Sequence, residues 1–98
     1  MNVKITALHF KADKKLEEFI HEKLSKVEKL SDSIIGADVI LKIENTEKSE
    51  NKIAEIKLKI KGADLHAEKV GSSFEAATDL AIEAIRKQLT KSKEKMRE

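Results

Sequence analysis

Residues 53–70 read IAEIKLKIKGADLHAEKV, and apolar and charged side chains alternate along both halves of this stretch. Such alternation is typical of half-buried β-strands, whose successive side chains point to opposite faces of a sheet. The interruption at residues 62–64, GAD, predicts a tight turn. We therefore expect antiparallel strands at 53–61 and 65–70, each with one apolar face.

Two more strands are predicted upstream of this pair. Residues 2–8 and 37–44 also alternate between apolar and polar side chains, and the polar residues 44–52 read as a hairpin loop. The side chains expected to face the core from these strands are Val3, Ile5, Ala7, Ala37, Val39, Leu41 and Ile43. The chain is thus predicted to contain four strands.

Two helices complete the prediction. Apolar residues recur at helical spacing from residue 14 to about residue 30, and again over residues 73–95. Asp13 is placed to cap the first helix, because its carboxylate can accept hydrogen bonds from the free N–H groups of the first turn. Ser72, with Glu75 three residues later, fits a capping box for the second helix.

The order β-α-β-β-β-α predicts the fold class. We expect one α+β domain over residues 1–98, built as a two-layer sandwich whose four-stranded sheet carries both helices on one face. The opposite sheet face would be open to water and would carry Lys4, Lys42, Lys57, Lys59, His66 and Glu68. We expect the outward lysines of the third strand, Lys57, Lys59 and Lys61, mainly to prevent aggregation.

Composition excludes several kinds of chemistry. The chain has no cysteine, so disulfides, thiolate zinc sites and cysteine nucleophiles are excluded, and its three aromatic residues are too few for a base-stacking platform. The three histidines lie on three different predicted elements, and no metal-ligand spacing or glycine-rich phosphate loop is present. We predict no catalytic residue, no metal, no cofactor and no small-molecule substrate, and hence not an enzyme.

No secretory signal and no apolar run long enough to span a membrane can be found. We therefore expect a soluble, cytoplasmic protein that does not bind membranes. A basic amphipathic helix on an anionic membrane is disfavoured, because the apolar stripe of the second helix is needed for the core.

Positive charge is concentrated at the C-terminal end. Residues 1–85 carry 14 basic and 16 acidic side chains, whereas residues 86–98 carry six basic and two acidic ones. This asymmetry indicates an anionic partner such as RNA. The predicted RNA-binding residues are Arg86, Lys87, Lys91, Lys93 and Lys95 on the second helix and Lys23, Lys26 and Lys29 on the first.

Simpler explanations exist for both sets of cations. The C-terminal lysines could be a solvated helix end, where positive charge is favourable next to the helix dipole. Lys23 falls by angle inside the apolar stripe of the first helix. It could extend its ammonium group outward over Phe19, or it could point into a groove between the two helices.

The order and spacing of several segments resemble a known family, the short form of the ribosome hibernation promoting factors, also called ribosome-associated translation inhibitors. The matching segments are VKIT at 3–6, His9 and Phe10, then Leu16, Glu18, Phe19, Lys23 and Leu24, VILKIE at 39–44, LHA at 65–67, FEAATD at 74–79 and RKQLTKSKEK at 86–95. On this resemblance we expect a short form, without the dimerisation domain of the long form.

The resemblance implies a function. Members of the family bind the small ribosomal subunit in the channel of messenger RNA and of the aminoacyl- and peptidyl-site transfer RNAs. Translation then stops and idle ribosomes are held inactive under stress or in stationary phase. Partners implied for this chain are the small subunit, its ribosomal RNA and a second hibernation factor.

Two other functions fit the residues themselves. A helix-flanked sheet with a basic helix could be a general double-stranded RNA-binding module, and duplex RNA of any origin would then compete fully with ribosomes. It could also be a protein-interaction domain that docks a partner helix near Met96. In that case binding would depend weakly on salt and would tolerate lysine-to-glutamine changes.

Overall fold

The computed structural model describes residues 1–45, 47 and 50–96, and side chains as far as Lys91. Its elements follow the predicted order β-α-β-β-β-α, so the predicted α+β class is confirmed. They are β1 (Asn2–Ala7), α1 (Lys14–Glu28), β2 (Ile34–Ile43), β3 (Lys52–Ile60), β4 (Ala63–Gly71) and α2 (Phe74–Met96). Neither helix, within the described residues, is long and apolar enough to cross a membrane.

The four strands form one sheet in the order β1-β2-β3-β4. β1 pairs with β2 in parallel, and the other two pairs are antiparallel. A parallel pair needs a crossover connection, which α1 provides. Since β1, β2 and β4 run the same way, α1 and α2 both start at the end of the sheet where these strands finish. The two helices therefore run in the same direction and pack side by side.

The core lies between the helices and one face of the sheet. The alternation in residues 53–60 is confirmed, because Ala54, Ile56, Leu58 and Ile60 are all buried. The other buried residues of this core are Leu16, Ile20, Leu24, Val27, Ala37, Val39, Leu41, Ala67, Ala77, Ala81, Ile82, Ile85 and Leu89. Val3, Ile5, Leu65 and Phe74 pack against it while partly exposed.

The sequence located the cap of α1 correctly and placed the cap of α2 one residue too early. Asp13 caps α1 as predicted, and its Oδ1 accepts a hydrogen bond from the Leu16 N–H at 2.8 Å. The prediction of Ser72 as the cap of α2 is wrong by one residue. The Ser73 hydroxyl accepts from the Ala76 N–H at 3.0 Å, and the Ser73 carbonyl accepts from the Ala77 N–H. With Ser73 at the cap, Glu75 stands at the second helical position, so no capping box forms.

Other boundaries also differ from the prediction, and one predicted core residue is exposed. α1 ends at Glu28, before the predicted end near residue 30. The turn between β3 and β4 consists of Lys61 and Gly62, whose φ of +88° suits glycine. Ile43 does not join the core as predicted: it is 51 % exposed at the last position of β2.

A short aromatic contact joins the loop after β1 to the start of α2. Phe10 and Phe74 stack with ring centroids 4.7 Å apart and an interplanar angle of 13°. His9, just before Phe10, has φ of +66°. This left-handed backbone reverses the chain after β1. Gly71 allows the end of β4 to pack closely against the first turn of α2. A Cβ atom at this position would lie only 2.8 Å from the Ala77 nitrogen.

Candidate nucleic-acid interface

A groove of about 490 Å³ runs between α1 and α2. Its lining is mostly charged and consists of Lys23, Lys26, Asp79, Ile82, Glu83 and Arg86. The groove lies where the second half of α1 faces residues 79–86 of α2. Three of the eight predicted RNA-binding residues, Lys23, Lys26 and Arg86, are thereby brought together.

The sequence left two positions open for the Lys23 ammonium group, over Phe19 or in a groove between the helices, and the structure shows both contacts at once. Its ammonium nitrogen lies 5.4 Å from the centroid of the Phe19 ring, within the range of a cation–π contact. The same nitrogen lies 3.3 Å from Oδ1 of Asp79 across the groove. Lys23 thus covers Phe19 and faces α2 at the same time, which holds its charge inside the groove.

The outward side of α2 continues the cationic surface. A shallow depression beside the groove is lined by Glu83, Arg86, Lys87, Thr90 and Lys91. Lys87 pairs with Glu83 at 3.7 Å, one helical turn earlier. Within the described part of the chain, neither Arg86 nor Lys91 has a carboxylate oxygen within 4 Å.

Helical geometry explains how α2 distributes its charges. Successive residues are rotated by 100°, so Arg86 and Lys87 fall on different flanks of the buried Ile85. Arg86 faces the groove toward α1, and Lys87 also lines a second depression with Lys69 of β4. Arg86 and Lys87 therefore lie on opposite sides of the apolar stripe of α2.

The predicted RNA-binding residues at the end of each helix differ in their position relative to the groove. Lys29 is exposed at the C-terminal cap of α1 and does not line the groove. Lys26 lines the groove and lies 3.9 Å from Glu22, one turn earlier on α1. The backbone of Lys93 and Lys95 belongs to α2, whereas their side chains lie outside the described part of the structure.

Sequence reasoning missed the acidic residues of the groove. Asp79 and Glu83 contribute two carboxylates to a surface expected to be positive. The signal was available, because residues 79, 83 and 86 follow an i, i+4, i+7 pattern and must share one flank of a helix. The groove is therefore a mixed site in which the cations outnumber the carboxylates.

The open sheet face has a different electrostatic organisation. Three of its lysines are ion-paired across strands, Lys42 with Glu68 at 3.0 Å, Lys59 with Asp38 at 3.3 Å and Lys57 with Asp64 at 3.9 Å, and the His66 ring lies 2.6 Å from a carboxylate oxygen of Glu55. The hydrogen bond to Glu68, together with its negative charge, raises the pKa of Lys42 above its ordinary value. Alternating charges of both signs leave this face with little net field.

Among the described residues, no group of three or more histidine and carboxylate side chains is arranged to hold a metal ion. His66 has Glu55 as its partner, but the pair lies on the exposed sheet face and not in the groove. The groove brings together ammonium, guanidinium and carboxylate groups. The ammonium and guanidinium groups can form ion pairs and charge-assisted hydrogen bonds with carboxylates or phosphates.

Fold and site together define a class of protein, a β-α-β-β-β-α domain that presents a cationic groove between two parallel helices. Comparison with known proteins gives the family. The chain belongs to the family described as sigma 54 modulation protein / S30EA ribosomal protein, whose match covers residues 3–97. The resemblance seen in the sequence is confirmed.

Relatives with curated names cover the whole chain. The ribosome hibernation promoting factor of Klebsiella oxytoca is 31 % identical over 98 residues, which are 100 % of this chain and 99 % of that protein. The factor of the same name from Pseudomonas putida is 33 % identical over 95 residues, 97 % of this chain and 89 % of the relative.

Two solved structures share the fold. A ribosomal subunit interface protein from Coxiella burnetii superposes with a TM-score of 0.84 at 22 % identity, covering 95 % of this chain and 98 % of that one. The N-terminal domain of Thermus thermophilus Protein Y gives a TM-score of 0.80 at 21 % identity, covering 93 % and 98 %.

Proposed function

We propose that this protein is a cytoplasmic, non-catalytic translation inhibitor that binds the small ribosomal subunit and holds ribosomes inactive. One observation carries the proposal. In a chain of this family, three cations from two helices, Lys23, Lys26 and Arg86, line one groove, and no carboxylate oxygen of the described residues lies within 4 Å of Arg86. The folded domain would occupy the channel of messenger RNA and of the aminoacyl- and peptidyl-site transfer RNAs.

The residues proposed to contact ribosomal RNA follow from this arrangement. Arg86, Lys87 and Lys91 would bind phosphates along α2, and Lys93 and Lys95 would extend the row. Lys23, Lys26 and Lys29 would widen the contact surface on α1. Contacts of this kind read the backbone and shape of structured RNA, with little dependence on base sequence. No cofactor is needed.

Inhibition would be steric. A domain seated in the channel excludes messenger and transfer RNA by volume, so no chemical step on the ribosome is required. Binding would depend strongly on salt, because each phosphate contact releases counterions. Six contacts correspond to a slope of log K against log salt of about −4 to −5, or about a 10³-fold loss between 50 and 200 mM salt.

Co-sedimentation with purified 30S and 50S subunits on sucrose gradients at low and high salt tests the proposal. We expect stoichiometric migration with the 30S subunit at low salt, release at high salt and displacement by bound transfer RNA. Full competition by unrelated duplex RNA would instead favour the general RNA-binding module. A folded protein that does not bind at low salt would refute the proposal. A 70S gradient with the second factor added would show whether ribosome dimers form.

A further inference from the structure

We propose that Asp79 is an affinity-limiting residue of the interhelical groove, where it acts as an internal counter-ion that an incoming phosphate must displace from Lys23. The inference rests on the proposed function, since it concerns how the same groove binds RNA. It concerns a residue that was not among the predicted contacts. It also predicts that losing an acidic side chain strengthens binding.

The geometry places Asp79 next to Lys23 in the groove. Its carboxylate lies 3.3 Å from the Lys23 ammonium nitrogen, and both side chains line the groove together with Arg86. A phosphate entering between the helices therefore meets a carboxylate already bound to one of the cations. Either Lys23 leaves Asp79 for the phosphate, or the two anions remain close and repel each other. Both outcomes weaken binding relative to a groove without this carboxylate.

The partial exposure of the pair makes the exchange feasible. The Lys23 side chain is 33 % exposed and that of Asp79 is 51 % exposed, so water screens their attraction and its contribution to stability is small. The contact of Lys23 with the Phe19 ring does not involve Asp79, so it should keep the ammonium group near the groove when Asp79 is replaced. Neutralising Asp79 should thus alter binding far more than folding.

The other carboxylate of the groove is less suited to this role. Glu83 pairs with Lys87 at 3.7 Å along one side of α2. The Glu83 side chain is 66 % exposed and the Lys87 side chain is 74 % exposed. Such a long, flexible pair on one helix separates easily. Asp79 has a short side chain and links two helices, so it cannot move far from the groove.

The test compares Asp79→Asn with Asp64→Asn. Both variants remove one carboxylate that pairs with a lysine and is about half exposed, 51 % for Asp79 and 52 % for Asp64. They therefore change net charge identically, but Asp64 lies on the sheet face, away from the groove. Asparagine keeps the size of the side chain and an oxygen that can still accept from lysine.

Binding of wild type and both variants is measured across a salt series with two probes, the 30S subunit and a 16-base-pair RNA duplex. We expect Asp79→Asn to bind each probe about three- to tenfold more tightly. Its salt slope should be steeper by about 0.7 to 0.9, the value of one added phosphate contact. Asp64→Asn should match wild type, and thermal midpoints of all three proteins should agree closely.

The outcomes separate the two proposals. Weaker binding by Asp79→Asn would overturn the inference and would mean that the carboxylate itself accepts hydrogen bonds from RNA. Equal affinities of Asp79→Asn and Asp64→Asn would also overturn the inference, because the change in net charge would then explain any difference from wild type. Failure of wild type to bind the 30S subunit would refute the proposed function, and the duplex would still decide the role of Asp79.

Discussion

The side-chain amide of Gln88 on α2 completes the backbone hydrogen bonds of His66 on β4. Gln88 Oε1 accepts from the His66 N–H at 3.2 Å, and Gln88 Nε2 donates to the His66 carbonyl oxygen at 2.7 Å. β4 is an edge strand, so these backbone groups face the side where no strand pairs. Gln88 occupies the place of a neighbouring strand, which protects the edge from pairing with another chain.

Replacing Gln88 with alanine should free this edge. We expect faster hydrogen exchange of the His66 amide and a loss of about 1 kcal/mol in the free energy of unfolding, because two exposed hydrogen bonds are removed. Exchange is followed residue by residue by NMR. A Gln88→Glu variant keeps the acceptor for the His66 N–H and should protect that amide better than alanine. Unchanged exchange in Gln88→Ala would show that the contact does not persist in solution.

Thr78 offers a stabilising substitution. It is fully buried in α2, and its hydroxyl oxygen has no hydrogen-bond partner in the described structure. An unpaired buried polar group costs about 1–3 kcal/mol, so Thr78→Val should raise the thermal midpoint by several degrees, at about 4–8 °C per kcal/mol for a domain of this size.

The same substitution at Thr90 is the matched control for Thr78→Val. Thr90 is exposed, and its hydroxyl donates to the Arg86 carbonyl oxygen at 3.0 Å. Thr90→Val should therefore leave the midpoint unchanged or lower it slightly. A lower midpoint in Thr78→Val, measured by calorimetry, would mean that the hydroxyl has a partner in solution.

The Lys42–Glu68 pair should make stability depend on alkaline pH. The hydrogen bond from Lys42 to Glu68 raises the pKa of the lysine in the folded state above its ordinary value of 10.5. The folded state thus retains this proton more strongly than the unfolded state. The resulting stabilisation is fully present below the ordinary pKa and is lost as the pH rises through the folded-state pKa.

Lys42→Gln isolates this effect. The difference in unfolding free energy between wild type and Lys42→Gln, measured by urea denaturation, should be constant up to about pH 10 and should shrink at higher pH. Lys61→Gln, which also removes one exposed lysine, controls for the loss of net charge. A difference that grows with pH would contradict the assigned sign.

Local patterns predicted the elements well because their causes are local. Alternation in residues 53–60 and the cap at Asp13 depend on neighbours a few residues away. The second cap was misplaced because Ser72 and Ser73 are chemically equivalent, and only the backbone path decides which hydroxyl reaches the helix. The Gln88–His66 contact spans 22 residues, so no local pattern indicates it.

The sequence predicted that the candidate site contains cations of the helices, but it did not predict how these side chains are arranged. The charge count singled out the cations of α2, and helical geometry explains why Arg86 and Lys87 lie on different sides of that helix. The facing of Lys23 and Asp79 depends on how two helices pack, which the sequence of either helix alone does not specify. For the same reason the sequence could not show that Lys29 lies outside the groove.

The most direct test of the central claim compares two double substitutions in their affinity for 30S subunits over a salt series. Lys87→Gln/Lys91→Gln removes two cations from the outward side of α2, and Lys57→Gln/Lys59→Gln removes two from the ion-paired sheet face. Both variants lose two charges, so any effect of net charge is equal.

Circular dichroism first confirms that both double variants are folded. We predict that Lys87→Gln/Lys91→Gln binds more weakly than wild type, with a salt slope shallower by about 1.5, while the sheet-face variant retains wild-type affinity. Charge reversal at Lys87 and Lys91 should abolish binding altogether. Equal loss in both glutamine variants, or unchanged binding by the α2 variant, would contradict the assignment of the helices as the RNA-binding surface.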